Sequence, residues 1–148
     1  MMVVRARVDP SHRPHALPFI ALELVTPPLD GMILPGVTRD SVLALARDHA
    51  SHKHRLPSLP DRLIVSERPV TMAEVKEASK NGSLFELFGT GTAAVISPVD
   101  KIGYLGEDIH IPIRSGGMGF VANAMWKELV GRQTGEIPSD WSVVVCDS

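Results

Sequence analysis

Residues 23–47 read ELVTPPLDGMILPGVTRDSVLALAR, and this stretch sets the architecture. The apolar segment FIALELV (19–25) has the length and β-branched content of a strand. TPPLDG (26–31) ends it, because the prolines break pairing and Asp30-Gly31 suits a tight reversal. Val42, Leu45 and Ala46 then recur at helical spacing. Pro35 and Gly36 precede the periodic part, which predicts a helix opening near Gly36–Thr38 and running to about His49. A strand that turns into a helix implies mixed α and β structure.

The rest of the chain continues that alternation. MVVRARV reads as a short strand within residues 1–8, and DPSHRPHALP (9–18), with three prolines, reads as a loop. SHKHRLPSLPD (51–61) reads as an exposed polar loop, and RLIVSER (62–68) as a strand. TMAEVKEASKNG (71–82) is a helix with both ends marked. Thr71 and Glu74 form a capping box, and Gly82 stands where a left-handed residue closes a helix. LFELFG (84–89), AAVISPV and EDIHIPI read as strands, the last two joined through Lys101–Gly106. GFVANAMWKELVGRQ (119–133) is a helix with Val121, Ala124, Met125 and Leu129 on one face, and WSVVV (141–145) reads as a closing strand.

The 148 residues suit one domain with a real core. A hydrophobic content of 44% and a charged content of 22% place the chain among globular proteins. The net charge of −2, without a basic stripe, argues against nucleic acid and against an anionic membrane surface. No apolar run is long enough to span a bilayer, and residues 1–16 lack the apolar core of a secretory signal. Arg5, Arg7 and Arg13 hint at a mitochondrial presequence, but Asp9 and Pro10 spoil an amphipathic helix. The single Cys146 cannot form an internal disulfide, which agrees with a reducing, intracellular compartment, cytoplasmic or mitochondrial.

Two loops have the makings of anion seats. In LPGVTR (34–39) the first N–H groups of a helix lack internal partners and the helix dipole makes that end positive. Gly36 lets an anion approach the backbone, and Thr38 adds a hydroxyl. The bland reading is an ordinary helix start. In FGTGTAA (88–94) successive N–H groups of a glycine-rich turn can converge on an anion, with Thr90 and Thr92 as hydroxyl donors. Its bland reading is a plain turn between strands.

Together these loops carry a resemblance. ELVTPPLDGMILPGVTRDSVLALAR, VSERPVTMAEVKEA, LFELFGTGTAAVISPVDKIGYLGEDIHIP and RQTGEIPSDWSVVV follow one another as in the C-terminal part of branched-chain amino-acid aminotransferases. These are pyridoxal-phosphate enzymes of fold type IV. The resemblance implies a curled mixed sheet, a pseudobarrel, with flanking helices. It implies that Gly36, Val37 and Thr38 bind the cofactor phosphate together with Gly91 and Thr92. The Thr92-Ala93 backbone would face the substrate carboxylate. It implies transfer of the amino group of Leu, Ile or Val to 2-oxoglutarate, with branched-chain amino acids and 2-oxo acids as substrates, and a homodimer. The places of two redox cysteines found in some animal members hold Ala94 and Ser97.

The sequence also departs from the family. The family tethers its cofactor as a Schiff base to a lysine upstream of the TPPLDG segment, and no lysine precedes Lys53 here. A TEVGTMNLF-like segment, whose glutamate pairs with the pyridine nitrogen, is missing from residues 1–22. The expectation is therefore a partial large domain over 23–148, an atypical strand and loop over 1–22, no small N-terminal domain and no catalytic residue. Such a chain is inactive alone, exposes sheet edges and self-associates. The alternatives are a non-catalytic remnant, or an incomplete gene model, that keeps a phosphate half-site, and a generic phosphate-binding module. His49, His52 and His54 read as a solvated loop rather than a metal site, His110 as structural, and Trp126 and Trp141 as packing residues.

Overall fold

The computed structural model describes residues 1–8, 20–113, 117–143 and 145. Its order is β1 (Met2–Val8), β2 (Ile20–Thr26), α1 (Val37–Ala50), β3 (Leu63–Glu67), α2 (Met72–Lys80), β4 (Leu84–Gly91), β5 (Val95–Pro98), β6 (Lys101–Tyr104), β7 (Glu107–His110) and α3 (Phe120–Thr134). Five strands form one mixed sheet in the order β3-β2-β1-β4-β5. β2 and β3 run parallel, as the intervening α1 crossover permits, and the other neighbours are antiparallel. β3 and β5 are the edges.

The first strand is the centre of the sheet. β1 pairs with β2 on one side, Val4 opposite Leu24, and with β4 on the other, Val3 opposite Leu87. Alternation then fills two cores. Met2, Val4, Leu22, Leu24 and Phe88 face α1 and α3, meeting Val42, Leu43, Ala46, Val121 and Met125. Val3, Val25, Leu84 and Leu87 face α2 and the β6–β7 hairpin, meeting Val75, Ala78 and Ile109. Full burial of a side chain such as Phe88 or Leu24 stabilises the fold by about 1.5–3 kcal/mol each.

Several expectations need correction. Lys101–Tyr104 is no plain connector but β6, paired with β7 in a separate two-stranded sheet. Its turn residues Leu105 (φ 51°) and Gly106 (φ 78°) both lie in the left-handed region, which matches strand twist. Residues 141–143 are not in a strand, and Val144 lies outside the described residues, as does the loop at 9–18. The 51–61 loop is not wholly exposed, because Leu56 and Leu59 are buried in the α1–α3 core. Trp126 and Trp141 are exposed rather than packed, and Trp141 lies under the Arg132 guanidinium, 5.0 Å from its ring centre.

Candidate functional site

The local folding of each loop follows from its chemistry. β2 ends at Thr26, whose buried hydroxyl donates to the Met1 carbonyl at 2.9 Å. Pro27 and Pro28 stop the pairing, and Gly31 turns the chain at φ 94°. The Asp30 carboxylate accepts from the Met32 N–H at 3.1 Å. The chain then climbs to Gly36, which caps α1 with an extended backbone and no side-chain hydrogen bond. On the far side of the sheet's centre, β4 ends at Gly91, and Thr92-Ala93-Ala94 form the turn into β5.

These two loops meet. A cleft of about 390 Å³ is lined by Met1, Ile33, Leu34, Gly36, Arg39, Thr90, Gly91 and Thr92. It lies at the carboxyl ends of the parallel strands β2 and β3, the end at which open α/β sheets take ligands. Of the residues singled out from sequence, Gly36, Thr90, Gly91 and Thr92 line it. Val37, Thr38 and Ala93 adjoin it in sequence without lining it. Val37 is exposed and borders two smaller cavities that flank the first turn of α1.

The three helix starts differ in how their free N–H groups are met. At α2 the Thr71 hydroxyl accepts from the Glu74 N–H at 3.1 Å. The Glu74 carboxylate, the other half of the expected capping box, goes instead to Arg68 and Arg5. At α3 the buried Glu86 carboxylate, reaching over from β4, accepts from the Val121 N–H at 2.9 Å and the Ala122 N–H at 3.0 Å. That helix end already holds an anion, supplied by the chain itself. At α1 no described side chain fills the place, and the cleft lies beside it. Built onto Gly36 or Gly91, a Cβ would meet nothing within 4 Å, and neither residue has a positive φ. Packing among the described residues and backbone conformation therefore do not demand glycine at either position. A ligand approaching the backbone would.

Arg39 is the site residue that the sequence reading missed. It is buried, its Nη2 donates to the Pro27 carbonyl at 2.8 Å and to Glu67 Oε2 at 2.7 Å, and its Nε is buried with no partner among the described residues. Arg47, two turns on, bonds the other oxygen of Glu67. The hydrogen bonds from Arg39 and Arg47 hold the Glu67 carboxyl below its ordinary 4.5. Arg39 thus ties the start of the 27–36 loop to the end of β3 and brings a positive charge to the floor of the cleft. A signal existed: Arg39 precedes Val42, Leu43 and Ala46 by three, four and seven residues, so it stands on the buried face of α1.

The histidines do not converge. The His49 ring is buried, with Nδ1 accepting from the Leu56 N–H at 3.0 Å and Nε2 3.0 Å from the Pro60 carbonyl. The first bond requires an unprotonated Nδ1, so Nε2 carries the proton and donates. His54 contacts Glu128. Among the described residues no group of three potential metal ligands is found. No helix among them is long and apolar enough to cross a membrane. On the other face of the sheet, Glu23 lies among Arg68, Arg5 and Arg7, and Arg68 and Arg5 also bind Glu74. Burial pushes the Glu23 carboxyl up, but hydrogen bonds from Arg68 and Ser66 and the charges of Arg68 and Arg7 outweigh it, and the net shift is downward.

No protein-family model matches the sequence. Individual relatives do. The chain is 42% identical over 123 residues to a branched-chain-amino-acid aminotransferase of Monosiga brevicollis, covering 83% of this chain and 29% of that protein. It is 47% identical over 127 residues to the cytosolic branched-chain-amino-acid aminotransferase of Saccharomyces cerevisiae, covering 84% and 32%. It is 43% identical over 124 residues to the mitochondrial enzyme of that name from Rattus norvegicus, covering 84% and 28%. The chain therefore spans about three-tenths of the length of these relatives. By sequence it is a partial-length relative of the branched-chain-amino-acid aminotransferase family.

Proposed function

We propose that the cleft between Gly36 and Thr92 is the phosphate side of a pyridoxal-phosphate site. On this reading residues 23–148 form part of the large domain of a fold type IV aminotransferase, and the five-stranded sheet is one wall of its curled pseudobarrel. The observation that carries the reading is the single cleft lined both by Gly36 and by Thr90-Gly91-Thr92. The N–H groups of the first turn of α1, from Val37 and Thr38, take the phosphate, with the hydroxyls of Thr38 and Thr92. The Thr92-Ala93 backbone takes the substrate carboxylate, and Arg39 adds positive charge beneath. Bound there, pyridoxal phosphate supplies an electron sink for chemistry at the α-carbon of an amino acid.

The substrates of this reading are branched-chain amino acids and 2-oxo acids, the partner is a second subunit, and the compartment is cytosol or mitochondrion. None of the chain's five lysines lines the cleft. The expected behaviour of the 148 residues alone is reversible binding of pyridoxal phosphate without turnover of leucine and 2-oxoglutarate. The deciding variant is Gly36→Ala. Its Cβ enters open space and its φ of −70° suits alanine, so the fold survives at a cost under about 1 kcal/mol. Its affinity for pyridoxal phosphate, read by cofactor absorbance and fluorescence, falls tenfold or more, and Thr92→Ala also weakens binding. Unchanged affinity in both variants, or equal competition by nucleotides, would remove the assignment.

A further inference from the structure

Three non-glycine residues among those described have a left-handed backbone: His52, Val95 and Leu105. Leu105 sits in a two-residue hairpin turn that requires this conformation, and His52 follows the end of α1. Val95, at φ 58°, also closes a hairpin turn, the three-residue one between β4 and β5, but differs from Leu105 in its side chain. Its β-branched side chain disfavours the left-handed region more than almost any other. It stands at the end of the turn whose first residue, Thr92, lines the cleft. The Ile96 N–H donates to the Ala94 carbonyl at 2.6 Å, closing a three-residue turn centred on Val95. Glycine would adopt this φ without strain.

The side chain explains why valine can remain there. Val95 packs, partly buried, against the core that α1 and α3 share with the sheet. Its backbone is opposite Gly91 in the β4–β5 ladder. Glycine at φ 58° would be free to leave that conformation, whereas a packed valine is held in it by the core. We propose that Val95 is a positioning residue of the cleft: its packed side chain fixes a strained turn, and the strained turn aims Thr92 and the Ala93 backbone at the anion. This rests on the cofactor-site reading above. Strain stored beside a binding loop is a recurrent device for pre-organising it.

The test uses the 148-residue chain with Val95→Gly and Val95→Asn. In Val95→Gly without ligand, the Ile96 amide is expected to exchange with deuterium at least tenfold faster, while a cooperative thermal transition is kept. Its affinity for pyridoxal phosphate is expected to fall at least fivefold. Asparagine tolerates the left-handed region, so Val95→Asn is expected to bind more tightly than the glycine variant. If glycine leaves exchange unchanged, Val95 does not hold the turn and the inference falls. If exchange accelerates but affinity does not change, the turn is held for no purpose at this site, and the inference again falls. Equal loss in the glycine and asparagine variants would reduce Val95 to a packing residue. If the wild type binds no pyridoxal phosphate, the cofactor reading fails, and the exchange data alone decide whether Val95 holds the turn.

Discussion

Replacing Gly119 by alanine should be among the most damaging one-carbon changes in this protein. Gly119 caps α3 with φ −69° and ψ 170°, which alanine adopts freely, so no backbone strain arises. The difficulty is space. An added Cβ would lie 1.8 Å from Glu86 Cδ and 2.2 Å from Glu86 Cγ and Oε2. Glu86 is only 4% exposed and is pinned by the Val121 and Ala122 N–H groups. To clear the methyl group, the carboxylate must leave both. Hydrogen bonds to a charged group contribute about 1.5–3 kcal/mol each. Their joint loss amounts to about 3–6 kcal/mol, a large share of the about 5–15 kcal/mol by which domains are stable. At about 2–4 °C per kcal/mol, the melting point should fall by about 6–24 °C.

Urea denaturation followed by circular dichroism measures this, with two glycines as internal standards. At Gly131 a Cβ would meet Ile137 Cδ1 at 2.7 Å, the far end of a flexible side chain, so Gly131→Ala should cost less, about 1–2 kcal/mol. At Gly91 nothing lies within 4 Å, so Gly91→Ala should change stability little. A double-mutant cycle completes the argument: in a Glu86→Ala background the methyl group has nothing to displace, and Gly119→Ala should become nearly neutral. The reasoning is refuted if Gly119→Ala costs under about 1 kcal/mol, or if its cost is the same with and without the Glu86 carboxylate.

Two further outcomes follow from charge and hydrogen bonding. Glu67 and Glu74, hydrogen-bonded chiefly by Arg39 and by Arg68 respectively, and Glu23, despite its burial, all have carboxyls held below the ordinary 4.5. The unfolded chain therefore binds protons more readily, so this stability is fully present above 4.5 and is lost as the pH drops through the depressed values. Urea midpoints should fall on acidification, and Glu67→Gln or Glu74→Gln should flatten that fall; identical pH profiles would contradict the assignment. His49→Phe leaves the Leu56 N–H and Pro60 carbonyl without their partner, and should cost about 2–3 kcal/mol in a denaturation experiment. A variant as stable as the wild type would show that the ring acts only as packing.

Features decided within a few residues were legible in the sequence. The Thr71 cap, the left-handed Gly82 at φ 72°, and the start of α1 at Val37 follow from chemistry that neighbours can see. The central place of β1 was not legible, because its pairing with β4 depends on residues some 80 positions away. The β6–β7 hairpin escaped for another reason: leucine is an unusual choice for the first left-handed position of its turn. The apolar SVVV run at 142–145 has strand composition, but composition does not supply a pairing partner. At the site, both glycine loops could be named individually, whereas their meeting in one cleft, the role of Arg39 and the strain at Val95 depend on tertiary packing.

The position of β1 also bears on the order in which the chain can be assembled. β2 follows β1 closely, so those two strands can pair as soon as both have been synthesised. The other partner, β4, begins only at Leu84, roughly 60 residues after β2 ends, a delay of about 3–12 s at about 5–20 residues per second. Through that interval the strand that ends as the most enclosed of the five presents an open row of N–H and C=O groups, flanked by Met2, Val3 and Val4. A nascent chain is then most vulnerable along the strand that the finished protein protects best. A holdase that covers this edge until Leu84 emerges would raise the folded yield without touching any contact of the native state.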